Sequence, residues 1–202
     1  TADGPTIQNS NNIALQNGMN LKLLLEQLEH IRATIHIPLI MMGDINPILQ
    51  YGVDAFLEKC KTIGIDGLIL PNLPIYEYKT FYKSSFDKYG ISNIFLVTPQ
   101  TSKERILKID ALTNSFIYVV STASITGGNL SVDAQADYFF GIKDMKLKNP
   151  ALIGFGIRDK ETFNQASQYL NGAIIGSAFI KALENSKNVK EEAIKFVKNI
   201  IE

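Results

Sequence analysis

At 202 residues, 46% of them apolar and 20% charged, the chain is long enough for one large domain with a sizeable core. Twenty basic residues balance twenty acidic ones, so no net field draws nucleic acid or an anionic membrane. A single cysteine, Cys60, and two histidines, His30 and His36, exclude an intramolecular disulfide, a multi-cysteine zinc site and a histidine-rich metal cluster. No apolar run approaches the roughly 18 residues of a membrane span, no basic-then-apolar leader opens the sequence, and one thiol suits a reducing cytoplasm.

Two helices are predicted first. Asp3-Gly4 makes a turn into a helix with Pro5 at its first position, and Gly18 fits the position just past its end. Asn20 then caps "LKLLLEQLEHI", where Leu21, Leu24, Leu25, Leu28 and Ile31 fall on one face. From there strand and helix alternate. "IPLIMMG" is a first strand buried on both sides, followed by "VDAFLEKCKTIG" with Val53, Phe56, Leu57 and Cys60 at helical spacing and Gly64 closing it. "GLIL" is the second strand, and the Phe81, Tyr82, Phe86 segment is its helix. "SNIFLV" is the third, followed by "TSKERILKIDAL", with Thr101 and Glu104 in capping-box positions. "SFIYVV", "PALIGF" and "GAIIG" are the last three strands. Their helices are "VDAQADYFFGIKDMKL", then "KETFNQASQYL" capped by Asp159, then the closing "NVKEEAIKFVKNIIE". In that last helix Val189, Ala193, Phe196, Val197 and Ile200 make the expected buried stripe.

Six strand-then-helix units without hairpin signals specify a parallel sheet with helical crossovers, in one domain spanning residues 1–202. A doubly wound nucleotide fold carries a Gly-rich loop after its first strand, and "GDINP" is no such loop. The glycines gather instead after the last two strands, where a (β/α)8 barrel places a phosphate site. The expected fold is therefore α/β: a TIM (β/α)8 barrel lacking its first strand–helix–strand unit, with six parallel strands present.

The chemistry lies in the turns. In "IGFGIRDKE", Gly154 and Gly156 flank Phe155 between strand and helix, where glycine lets a backbone approach an anion and aim N–H groups at it. A plain turn of small residues explains that pattern equally well. "IIGSAFIK" repeats it, with Gly176 and Ser177 opening a short helix, and the pair together points to phosphate. "STASITGGNLS", with Gly127 and Gly128, is long for such a loop and reads either as a lid or as ordinary flexible surface. Tyr118 points into a pocket mouth or fills the core. His30, His36 and Lys181 read as surface residues, and Cys60 as a buried thiol.

"ADGPTIQ", the "MG-x-x-NP" of Met42 to Pro47, the "P-x-LP" of Pro71 to Pro74, "ITGG", "GFGI" and "GSAFIK" occur in one order. Together they resemble the tryptophan synthase alpha chain family over essentially the whole chain. The resemblance implies a cytoplasmic lyase of tryptophan biosynthesis, splitting indole-3-glycerol phosphate into indole and glyceraldehyde 3-phosphate without a metal or organic cofactor. It implies a beta subunit as partner in an alpha2beta2 heterotetramer. It assigns the phosphate to amides around Gly127, Gly156, Gly176 and Ser177, and the pocket to Tyr118, Phe155, Leu96, Ile69 and Thr126. It turns Asn46, Pro47 and Pro74 toward the beta subunit.

In this family a Glu transfers the proton and an Asp holds the indole N–H. The resemblance puts both upstream of "ADGPTIQ": Asp3 belongs to the following turn, no catalytic residue is assigned here, and this stretch alone is expected to be inert. Two further positions depart from the family's usual pattern. Asp44 stands where "MG-Y-x-NP" has tyrosine, and Asn72 where "P-D-LP" has aspartate. A buried Asp44 would need a partner, so it is expected to meet water or a basic group. The alternatives are a shortened, non-catalytic phosphate-binding homologue that regulates a beta-type partner, and another phosphate-binding barrel such as a sugar-phosphate isomerase.

Overall fold

The computed structural model describes residues 4–121, 135–154 and 156–202. In chain order the elements are α1 (Pro5–Gln16), α2 (Leu21–Gln27), β1 (Ile40–Met42), α3 (Ile45–Tyr51), α4 (Val53–Ile63), β2 (Gly67–Ile69) and the one-turn α5 (Ile75–Glu77). Then come α6 (Lys83–Tyr89), β3 (Ser92–Ile94), β4 (Leu96–Val97), α7 (Lys103–Leu112), β5 (Ile117–Val120) and α8 (Ala136–Asp144). The last are β6 (Ala151–Gly154), α9 (Lys160–Tyr169), β7 (Gly172–Ile174), α10 (Ser177–Leu183) and α11 (Val189–Ile201).

Most helix boundaries follow their caps. Pro5 begins α1, the Asn20 side chain accepts from the Leu23 N–H at 3.0 Å, and Asp159 and Thr162 form a reciprocal capping box on α9. Three expectations are corrected. Helix α2 stops at Gln27, and a 3₁₀ turn over Ile31–Ala33 replaces its last turn, delivering Arg32 to the carbonyls described below. The Thr101 hydroxyl accepts from the Thr98 N–H at 2.9 Å, so it closes the turn after β4, one residue before the capping position of α7. On α11, Val189 and Val197 are exposed; Ala193 and Phe196 are half-buried and Ile200 is buried, so the inward stripe is narrower than the spacing suggested.

The described residues fall into two compact units, 18–96 with 103–117, and 4–17 with 97–102, 118–121, 135–154 and 156–202. In the first, β1, β2 and β3 make a parallel sheet with Ile40, Gly67 and Ser92 in register, followed by Met42, Ile69 and Ile94. Phe56, Leu57, Cys60 and Ile63 of α4 and Phe86 of α6 are buried, so the 3.6-residue periodicity that predicted α4 is its core face. The buried Tyr78 meets Phe86 and Phe95 edge-on, each at 5.2 Å between ring centres.

The expected third strand is broken at Phe95: Ser92–Ile94 pairs with β2, while Leu96–Val97 belongs to the second sheet. Six strand regions thus appear as seven ladder segments. Phe95 leaves the ladder with its ring against Tyr78. The second sheet has the order β4–β5–β6–β7, with β6 and β7 parallel. In its unit α1 packs on α10, and the Phe179 and Phe196 rings join α10 to α11 at 5.4 Å.

Burial raises the Cys60 thiol and the Tyr78 phenol, each to about 12. Both are neutral in the fold and ionise first in the unfolded chain, from ordinary values of 9.0 and 10.0. Their contribution to stability is whole below pH 9 and is lost as pH rises toward 12. The urea midpoint should therefore fall steadily above pH 9, and Cys60→Ala should start lower but slope less. A midpoint that is level from pH 9 to 11 would contradict this account.

Candidate functional site

The turns after β6 and β7 start side by side. Gly154 pairs in register with Ile174, so Gly156 and Gly176 each lie two residues beyond a matched pair at the same end of neighbouring parallel strands. Adjacent strands run about 4.8 Å apart. Gly156 has φ +78°, a conformation that favours glycine, and it is exposed. Gly176 occupies the capping position of α10, and Ser177 begins that helix; both are exposed. The Gly176 carbonyl accepts from the Ile180 N–H at 3.2 Å, so the helix is hydrogen-bonded from its first turn while its leading amides have no acceptor within the helix.

Tyr118, on β5, is only 5% exposed and lies across Gly154 of β6. A Cβ built at Gly154 would stand 2.1 Å from the Tyr118 Cε1, Cζ and Oη, so this glycine makes room for the aromatic side chain. Its ring covers the strand that leads into the Gly156 turn.

In the other unit, Ile69 ends β2 and is buried, in register with the exposed Met42 and the buried Ile94. Leu96, half-buried, opens β4. Asn46 and Pro47 are exposed near the start of α3, and the exposed Pro74 immediately precedes α5. Asp44 stands at the capping position of α3 without a side-chain cap bond and is exposed, so its charge meets water as expected. The first α3 amide is served from another loop: the Asn72 Oδ1 accepts from the Ile45 N–H at 2.9 Å. The Asn72 Nδ2 then donates to the Asn46 Oδ1 at 3.0 Å. Sequence reasoning singled out Asn72 only as a departure, and missed both this bridge and the space role of Gly154. The paired "P-x-LP" and "NP" turns were the available signal.

Thr126, Gly127 and Phe155 lie outside the described residues, as does the whole segment read as a lid. Among the described residues no three His, Cys, Asp or Glu side chains gather as metal ligands, and no helix is long and apolar enough to cross a membrane. His30, His36 and Lys181 are exposed. A hollow of about 440 Å³, lined by Arg32, His36, Pro38, Gly64 and Asp66, sits at the opposite, entry ends of β1 and β2. Its guanidinium is fully engaged: Nε donates to the Gly64 carbonyl at 2.8 Å, Nη1 to Ile35 and Ile37, and Nη2 to Gly64 and Asp66. With its donors spent, this hollow is a structural joint.

Comparison with known proteins decides what the turns belong to. The model of the family described as tryptophan synthase alpha chain matches residues 1–202. The chain belongs to the tryptophan synthase alpha chain family. It is 58% identical over 200 residues to the tryptophan synthase alpha chain of Flavobacterium psychrophilum, covering 98% of this chain and 78% of that one. It is 54% identical over 201 residues to the corresponding chain of Christiangramia forsetii, covering 98% and 77%. Among solved structures, the tryptophan synthase A-subunit of Pyrococcus furiosus matches with a TM-score of 0.87 at 31% identity, covering 99% of this chain and 81% of that one. The fold is thus the α/β fold of the tryptophan synthase alpha chains, a family of lyases in tryptophan biosynthesis.

The Tyr118–Gly154 packing gives this member of the family a measurable coupling. Gly154→Ala should cost about 1–3 kcal/mol in urea unfolding through overpacking. Tyr118→Ala, which empties the space, should make the alanine at 154 nearly free in the double variant. Additive costs would show that the ring and the glycine are not in contact.

Proposed function

We propose that the protein carrying this chain is the alpha subunit of a cytoplasmic tryptophan synthase and cleaves indole-3-glycerol phosphate to indole and glyceraldehyde 3-phosphate. The observation that carries the reading is the pair of glycine turns issuing in register from β6 and β7. Backbone amides at such a turn and at a helix start suit a phosphoryl group, which needs donors and tolerates no carboxylate nearby. In this reading Gly127, Gly156, Gly176 and Ser177 hold the phosphate, and Thr126 belongs to the closing loop. Tyr118, Phe155, Leu96 and Ile69 supply apolar wall to the indole.

The cleavage breaks the bond between the indole ring carbon and the glycerol chain. A proton is delivered to that ring carbon, and a base removes one from the adjacent glycerol hydroxyl, which becomes the aldehyde. Positioned acid–base groups contribute about 10²–10⁴-fold each. In this reading those groups, a Glu and an Asp, lie outside these residues, and the 202-residue stretch by itself is inactive. The stretch is one barrel domain short of a first strand–helix–strand unit. Asn46, Pro47 and Pro74 face a beta subunit in an alpha2beta2 assembly, and no cofactor acts on this chain.

The whole natural polypeptide, given indole-3-glycerol phosphate, should release indole, and these 202 residues alone should not. Isomerised sugar phosphate without indole would instead indicate another phosphate-binding barrel, and binding without any turnover by the whole polypeptide a regulatory homologue. Ser177→Asp tests the phosphate turn. A carboxylate at a helix start does not harm the helix, but beside a phosphate it costs several kcal/mol. KM should rise about tenfold or more with kcat changing less, and an unchanged KM would move the phosphate elsewhere.

A further inference from the structure

We infer that Asn72 is the positioning residue of the partner-facing surface: it ties the turn after β1 to the turn after β2 so that Asn46 and Pro74 are presented as one rigid patch. The inference rests on the proposed beta-subunit reading of Asn46, Pro47 and Pro74. The two turns come from different strand–helix units, twenty-six residues apart along the chain. Asn72 bridges them with both ends of one amide, accepting from the Ile45 N–H at 2.9 Å and donating to the Asn46 Oδ1 at 3.0 Å.

Asn72 thereby does the work that Asp44, at the local capping position, leaves undone. It caps α3 from outside the helix and fixes the rotamer of the neighbouring Asn46. Pro47 follows directly on Asn46, and Pro74 follows Asn72 by two residues with Leu73, 6% exposed, anchoring the strip between them. Proline on each side stiffens the chain further. A partner meeting this patch finds Asn46 already oriented, which lowers the ordering cost of association. The bridge uses two neutral amides, so nothing in it titrates across the physiological range.

The test uses the whole natural polypeptide and two variants. Asn72→Leu keeps the bulk and removes both hydrogen bonds. Asn72→Asp keeps an acceptor for Ile45, and Asn46 can turn its amide to donate to it. Amide exchange at Ile45 and titration with the beta chain of the same organism are read together. Asn72→Leu should speed Ile45 exchange about tenfold and weaken beta-chain affinity roughly five- to thirtyfold. Asn72→Asp should restore both to near the parent values, and circular dichroism should be the same for all three. If the parent binds the beta chain and Asn72→Leu binds equally well, the inference falls while the partner reading stands. If Asn72→Leu weakens binding and Asn72→Asp fails to rescue it, bulk or charge at this site matters rather than the bridge, and the inference also falls. If the parent does not bind the beta chain, the partner reading itself is wrong and takes the inference with it.

Discussion

The sheet of the first unit is tied together at its entry by Asp66, through its backbone and its carboxylate. Its strands are three residues long, so their ladders contain few hydrogen bonds, and parallel pairing is the weaker kind per residue. Asp66, just before β2, supplies what the ladders lack. Its Oδ2 accepts from the Leu39 N–H at 2.7 Å, its own N–H donates to the Leu39 carbonyl at 2.9 Å, and its carbonyl accepts from Ser92 at 3.0 Å. One residue thus pins the entry of β1 to β2 and of β2 to β3. A one-residue slip would turn each strand over, so pinning the entries also decides which side chains Ile69 and Met42 stand beside.

Arg32 completes that joint, and glycine at position 64 makes it possible. The guanidinium spreads its donors over Gly64, Asp66, Ile35 and Ile37, which only a planar fork can do. Gly64 closes α4 at φ +90°, and a Cβ there would stand 2.8 Å from the Arg32 Cγ. The strand entries are therefore crowded and saturated. At the opposite ends of the strands the balance reverses: Asp44, Asn72, Gly156, Gly176 and Ser177 are exposed. In the first unit the tight side-chain joint thus lies where the strands begin.

Element order, the capping of α1, α2 and α9, and the buried face of α4 were legible because each has a local cause. Pro5, Asn20, Asp159 and the Phe56–Leu57–Cys60 spacing act within one turn of themselves. The glycine turns were legible for the same reason. What sequence alone missed is nonlocal. The break at Phe95 accompanies the contact of its ring with Tyr78, seventeen residues earlier in the chain, and the early end of α2 accompanies the reach of Arg32 to Gly64. The bridge of Asn72 is likewise invisible without its partner loop. The exposed Val189 and Val197 show a further limit: periodicity locates the apolar residues of a helix but does not fix how much of that face its neighbours cover.

Three glycines near the proposed phosphate turns stand there for three different reasons, and the contrast bears on function. Gly156 is required by its backbone, at φ +78°. Gly154 is required by its neighbour, because Tyr118 fills the place of a side chain. Gly176 is required by neither. Its φ is −116°, and among the described residues a Cβ there would meet nothing nearer than the Ile7 Cδ1 at 3.7 Å, an ordinary contact. A fold that could accept alanine at the head of a helix, and so remove the entropic cost of glycine in the unfolded chain, keeps the smaller residue instead. The space left open lies at the exposed start of α10, where the leading amides have no acceptor within the helix. In the proposed reading, phosphate oxygens approaching those amides would use the volume that a methyl group would occupy.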